Sequence, residues 1–329
     1  MSRLLCCWVV IALPALAQSK KTAPPAVPQW TRTAAPSRSF AAIAIDPAET
    51  RVVYAAAGEE DRGAFKSADS GRTFKPINNS GPFLSMALDP KQKGAVYLGP
   101  SHSILKSIDG GASWRELQET GSGGFRAIVA SPDVAGTAFA AVDSGWGVYR
   151  TETGGVRWDH VFPHHDVRAL TIDPSNRETL FAGTRSWQTQ VGGIFQSTDG
   201  GDTWKRVLTH ASITSVAVAA SDSTVVYAGT EGEGVFKSAS GGANWQSVNT
   251  GLTHKVVRCV VVDPNSASVV YAATWEGGVF RSTNGGELWA PMNEGLGNLY
   301  VHTLAINPSD PEELFAGTDA GVFRWGKRK

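Results

Sequence analysis

STDGGDTW, residues 197–204, is one of six related octets in this 329-residue chain. The others are SADSGRTF from Ser67, SIDGGASW from Ser107, TETGGVRW from Thr151, SASGGANW from Ser238 and STNGGELW from Ser282. Their starts lie 40, 44, 46, 41 and 44 residues apart, and a period in that range signals a propeller or a solenoid. Each octet reads as a tight turn between two strands. Its third position calls for a short acceptor to take backbone N–H groups two residues on, a task that Asp and Asn perform best. Asp69, Asp109, Asp199 and Asn284 fill that position, with Thr153 and Ser240 as weaker substitutes. They are expected to be structural turn residues rather than metal ligands or catalytic acids. Gly71, Gly111, Gly155, Gly201, Gly242 and Gly286 occupy the fifth position of every copy, where the turn needs a positive φ. The closing aromatic then enters the next strand as an apolar wedge.

A second marker precedes the octets. Apolar, strand-like runs end in Asp46-Pro47, Asp89-Pro90, Ser131-Pro132, Asp173-Pro174, Ala219-Ala220, Asp263-Pro264 and Asn307-Pro308. Eight residues after the first of each pair stands an aromatic: Tyr54, Tyr97, Phe139, Phe181, Tyr227, Tyr271 or Phe315. Seven copies predict seven blades. The fourth unit shows the expected strands, 169–172, 179–182, 193–195 and 204–207, as short β-branched and aromatic segments separated by turn residues. No segment keeps a helical period.

The last unit ends at Phe323-Arg324-Trp325, where its octet should begin. Trp30 precedes Asp46 by 16 residues, close to the 17 between Trp114 and Ser131. The N-terminal strand is therefore expected to supply the missing fourth strand. The predicted fold is all-β, a seven-bladed β-propeller of four-stranded blades spanning residues 29–329 and closed by that strand. A WD40 propeller has a similar period, but the Gly-His marker is missing and the single Trp-Asp pair, Trp158-Asp159, is an octet Trp with its neighbour.

The octet pattern S-x-D-x-G-x-T-W resembles the Asp-box (BNR) repeat of sialidases, sortilin-type receptors, xyloglucanases and photosystem II assembly factors, over nearly the whole chain beyond about residue 28. The resemblance implies a propeller whose ligand and catalytic groups lie on the face opposite the boxes. It leaves activity open, because such repeats serve enzymes and binding proteins alike. The single-propeller assembly factors are the most similar in size, and their basic surface residues imply a binding role.

Residues 1–17 read as a Sec-type signal peptide: Arg3, an apolar run from Leu4 to Leu13, and Ala15-Leu16-Ala17 as the cleavage site. Secretion or a periplasmic location follows as the expectation, with no membrane span left after cleavage, because the apolar run is too short to cross a bilayer. Residues 18–28, QSKKTAPPAVP, read as a flexible linker. Cys259 would then be the only thiol, a small core residue in a chain without disulfides. Thirty Lys and Arg balance thirty Asp and Glu, so bulk charge offers nucleic acid no footprint. A monomer without cofactor or metal is expected.

Candidate binding residues collect on the face away from the octets, whose loops escape the packing rule. The position five before each marker opens the innermost strand and reads Ala41, Leu84, Arg126, Arg168, Thr214, Arg258 and His302. Three arginines and a histidine thus ring the channel mouth, a set suited to carboxylate or phosphate. The competing reading pairs those arginines with Asp166, Glu59 or Glu60. His164, His165, His210, His254 and His302 all fall in loops entering first strands, spread over too many blades for a metal site. Trp146, Trp187 and Trp275 lie between second and third strands and could face a sugar or a protein hot spot; they could equally fold back as lids. Glu59, Glu60, Asp61, Glu231, Glu233 and Glu276 share those loops. A glycosidase would need two such carboxylates across the scissile bond, with Glu233 and Glu276 as the alternative catalytic pair. Phe125-Arg126-Ala127-Ile128 only loosely matches a sialidase arginine signature, and no Tyr–Glu nucleophile pair can be assigned. The preferred expectation is a non-catalytic propeller that binds a protein or a glycan.

Overall fold

The computed structural model describes residues 28–36, 39–58, 61–119, 123–163, 166–186, 191–209 and 212–326. The expected signal peptide and most of the linker, together with Glu59, Glu60, His164, His165, Trp187 and His210, lie outside the described residues.

Seven four-stranded antiparallel sheets follow one another, and in six of them the strands lie in sequence order. Blade 4 shows the plan, with strands Val167–Asp173, Asn176–Thr184, Gly193–Ser197 and Lys205–Thr209. Its strands run longer than the apolar pattern suggested, and Trp204 stands just ahead of the fourth rather than within it. The first strands are Phe40–Ile45, Ser85–Leu88, Phe125–Ala130, Val167–Asp173, Ile213–Val218, Val257–Asp263 and Val301–Ile306, and neighbours pack side by side around the central axis.

Blade 7 is completed from the other end of the chain. Gln29–Arg32 pairs antiparallel with Gly321–Gly326, placing Trp30 opposite Trp325 and Arg32 opposite Phe323. The Trp30 indole is buried, donates to the Met292 carbonyl in blade 6 at 2.6 Å and meets Trp325 edge-on at 5.6 Å. The ring is latched by its N-terminal strand and exposes no open sheet edge where the blades meet.

The octets hold their turns by a division of labour. The Ser197 hydroxyl accepts from the N–H groups of Asp199 and Gly201 at 3.3 and 2.8 Å and donates to Asp199 at 2.8 Å. Asp199 in turn accepts from the Thr203 N–H at 2.9 Å and from the Thr203 hydroxyl. The third-position carboxylate therefore reaches four residues on, not two; the short reach belongs to the leading hydroxyl. Asn284 and Ser240 accept from the N–H groups of Leu288 and Asn244 in the same way. The hydroxyl and N–H of Thr203 hold the Asp199 carboxyl down at about 2. The N–H and hydroxyl of Thr73 do the same for Asp69, also at about 2.

The core is a set of layers between blades. Each second-strand aromatic, from Tyr54 to Phe315, packs in a cluster shared with the following blade. The residue just before an octet also reaches forward to the next octet: Lys66 to the Gly110 carbonyl, Lys106 to Gly154, Arg150 to Gly200 and Gln196 to Gly241. Gly242 shows why no side chain is tolerated there, since its φ is +94° and a Cβ would lie 2.7 Å from Phe181. Cys259 is half-buried against the blade 7 cluster rather than fully enclosed.

Candidate functional site

In six blades the ladder between first and second strands skips one residue near its start, and the skipped residues are Ala41, Arg126, Arg168, Thr214, Arg258 and His302. A β-bulge kinks its strand and re-aims a side chain. All six line one cavity of about 180 Å³ at the channel mouth, with Arg185, Ser212, Ile213 and Glu231. Blade 2 lacks the bulge, pairing Ser85 with Gly99 from the start, and its counterpart Leu84 does not line the cavity. His302 accordingly sits within the strand Val301–Ile306, not in the loop before it.

Buried carboxylates stand behind the arginines of blades 3 and 4. Arg126 Nε lies 2.5 Å from Asp143 Oδ2, and Arg168 contacts Asp166 through Nε at 3.1 Å and Nη2 at 3.3 Å. The Asp143 and Asp166 side chains are 8% and 0% exposed, those of Arg126 and Arg168 29% and 28%. The carboxylates are thus enclosed while the guanidinium groups meet the cavity, a second layer that orients the first. Burial disfavours ionisation of Asp143, but hydrogen bonds from Arg126 and the Gly124 N–H, with the charges of Arg126 and Arg168, outweigh it and hold the carboxyl below its usual range. Of the pairings weighed from sequence, Arg168 with Asp166 is present; Arg126 takes Asp143 instead.

Blades 6 and 7 supply an aromatic counterpart. The Arg258 guanidinium lies 5.1 Å from the Trp275 ring centre, and Trp275 meets Tyr300 and His302 edge-on at 4.9 and 5.5 Å. His302 Nε2 is 2.6 Å from Asp319 Oδ1, which also accepts from the Ser39 hydroxyl at 3.2 Å. Arg185 reaches Glu231 in the next blade at 3.7 Å.

Asp143, Arg185, Glu231, Trp275 and Asp319 share one place in the repeat, four residues after the blade aromatic. They form a second ring around the first, and the same spacing count that exposed the arginines could have found them. Trp146 is 37% exposed, leans over Gly123 and does not reach the cavity. Glu231 lines the mouth, whereas Glu233 and Glu276 do not. Glu276 is exposed and accepts from the Tyr300 hydroxyl at 3.4 Å; the Glu233 N–H donates to the Thr230 hydroxyl. His254 is exposed beside Thr253, and Asp61 accepts from the Ser39 N–H at 2.8 Å. Among the described residues no three His, Cys, Asp or Glu side chains converge as a metal would require.

Fold and site together define a seven-bladed propeller with a bulge-built, arginine-lined mouth. No protein-family model and no curated protein matches the chain. Among solved structures it is similar to the GH74 xyloglucanase from Xanthomonas campestris, with TM-score 0.74 and 17% identity, covering 91% of this chain and 53% of that one. The GH74 enzyme of Niastella koreensis gives TM-score 0.73 and 19% identity, covering 90% of this chain and 53% of the enzyme. The chain therefore spans about half the length of those enzymes. YCF48 from Cyanidioschyzon merolae gives TM-score 0.69 and 15% identity over 91% of this chain and 99% of that one. A structure of YCF48 bound to D1 peptide gives TM-score 0.66 and 16% identity over 93% and 98%. At these identities the likeness is one of fold.

Proposed function

We propose that this chain is an exported, non-catalytic binding propeller that engages an acidic group of a protein partner at the arginine-lined mouth. The observation that carries this reading is the row of bulges: six blades spend a ladder position to turn one residue each into the same cavity, and three of the six are arginines. Bulged strands of this kind gather beside functional sites, and Arg is the residue suited to forked recognition of carboxylates. The chain matches almost the whole of the YCF48 structures, one of which holds a D1 peptide, and this similarity supports a peptide over a sugar as the partner.

The test is fluorescence anisotropy with labelled acidic, basic and neutral peptides, run on the natural chain and on a variant with Arg126, Arg168 and Arg258 changed to Gln. Acidic peptides should bind, and the variant should weaken them by at least tenfold, because charge-assisted hydrogen bonds of about 1.5–3 kcal/mol each are lost. Equal binding by the variant would remove the mouth as the site. A parallel screen for hydrolysis of polysaccharides and sialosides covers the enzyme reading: turnover that is lost in Glu233→Gln or Glu276→Gln would replace the binding role with a glycosidase.

A further inference from the structure

A second cavity opens at the other end of the first strands. It lies toward the octet face, measures about 510 Å³ and is lined by residues such as Ile43, Leu88, Val129, Ile172 and Ile306, with the marker prolines of five blades at its rim. This funnel and the mouth lie on the same axis. No charged side chain lines it, and Thr171 is its one polar side chain among the described residues. Ile43, Leu88, Val129 and Ile306 are only half-buried, so apolar surface is left facing an open concavity. Such a volume falls in the range of about 300–1,000 Å³ typical of small-molecule sites, which are mostly apolar with a few placed polar groups.

The first strands of blades 1, 3, 4 and 7 line both the mouth and the funnel. Arg126 at the mouth and Ala130 in the funnel wall belong to the strand Phe125–Ala130, about 13 Å apart at the usual rise per residue. One axis thus offers guanidinium groups at one end and an uncharged aliphatic wall at the other. Four arginines, Arg126, Arg168, Arg185 and Arg258, outnumber the single carboxylate Glu231 on the mouth's lining, so the pair favours one kind of occupant: a molecule with an anionic head and an apolar tail. A cationic head would face Arg126, Arg168 and Arg258 with Glu231 as its one carboxylate on the lining, and a polar tail would find Thr171 as its one side-chain hydrogen-bond partner in the funnel.

We propose that the central channel binds a long-chain carboxylate, its head at Arg126 and Arg168 and its alkyl chain running toward the funnel. This rests on the reading of the mouth as an anion site and adds the tail as a second determinant. Occupied in this way, the mouth would be closed to a partner's acidic group, so the amphiphile would compete with the acidic peptide.

The test is isothermal titration of the full chain with saturated carboxylates of eight, ten, twelve and fourteen carbons below their micelle concentrations, alongside alcohols and alkylammonium ions of equal length. Affinity should rise by as much as about fourfold per methylene, equivalent to ~0.8 kcal/mol, and the carboxylate should bind at least tenfold more tightly than the alcohol or the ammonium. Changing Arg126 and Arg168 to Gln should abolish the head preference while the chain-length dependence persists. An affinity independent of chain length would overturn the proposal, and so would equal binding of the alkylammonium series. If acidic peptides still bind in either case, the anion-binding mouth stands and the amphiphile does not. If neither ligand binds, both readings fall. The chain-length and head-group series use the natural chain, so their outcome does not depend on any variant folding.

Discussion

Trp30→Ala should damage the whole ring more than the loss of the half-buried octet tryptophan Trp204. Trp30 is 2% exposed, packs with Met292, Leu296 and Phe323, and donates its indole N–H to the Met292 carbonyl. Truncating a buried aromatic costs about 3–5 kcal/mol through lost burial and the cavity left behind. Stranding the Met292 carbonyl adds about 1–3 kcal/mol if water cannot reach it, so a total near 5 kcal/mol is expected after overlap between the two. Trp204 is the control: it is half-buried, stacks on Phe162 at 5.0 Å and donates its indole N–H to Gly201 of its own octet, and its loss should cost about 2 kcal/mol. Trp30→Phe should fall between, since it keeps most of the packing and loses the hydrogen bond. Urea titrations followed by far-UV circular dichroism would measure all three. A Trp30→Ala cost within about 1 kcal/mol of zero, or below that of Trp204→Ala, would refute the latch, because a strand docked loosely on blade 7 could lose its anchor at little cost.

Acid should loosen the octets in a defined window. The Asp69 and Asp199 carboxyls sit at about 2 in the folded chain against an ordinary 3.8, so their stabilisation is complete above about pH 4 and disappears as pH falls toward 2. The stability difference between the natural chain and Asp199→Ala should shrink over that interval; a constant difference would contradict the assignment. The two octet glycines of blade 5 should respond unequally. Gly241→Ala, with φ +61° and open space around the new methyl, should cost about 1–2 kcal/mol. Gly242→Ala, at φ +94° against Phe181, should cost about 1–3 kcal/mol more from overpacking. Equal costs in urea would contradict the close approach between blades.

Fold and site differed in how much of them the residues disclosed. Blade number and closure were legible because turn chemistry is local: Ser, Asp and Gly act within one octet, and the spacing of Trp30 from Asp46 matches that of the other units. The reach of Asp199 to Thr203 was not legible, since it depends on how the turn coils. The ring of Arg126, Arg168 and Arg258 was visible by counting, but the bulges that aim them were not, because a skipped ladder position leaves no mark in composition. The pairing of Arg126 with Asp143 crosses from one strand to the loop after the next, so a count could place Asp143 in the outer ring but register was needed to bring the two together. Glu231 and Glu233 are two residues apart on one loop, and only Glu231 holds the repeat position four after the blade aromatic, so the count could have favoured it over Glu233.

The most direct test of the mouth as a binding site is the nuclear magnetic resonance spectrum of the arginine Nε–H groups, recorded while an acidic peptide is titrated into the folded chain. Signals of Arg126, Arg168 and Arg258, assigned by single substitutions, should shift together and saturate at one peptide concentration, while Arg150 and Arg324 near the octet face stay in place. Shifts confined to Arg150 and Arg324, or no saturable shift at the mouth, would contradict it.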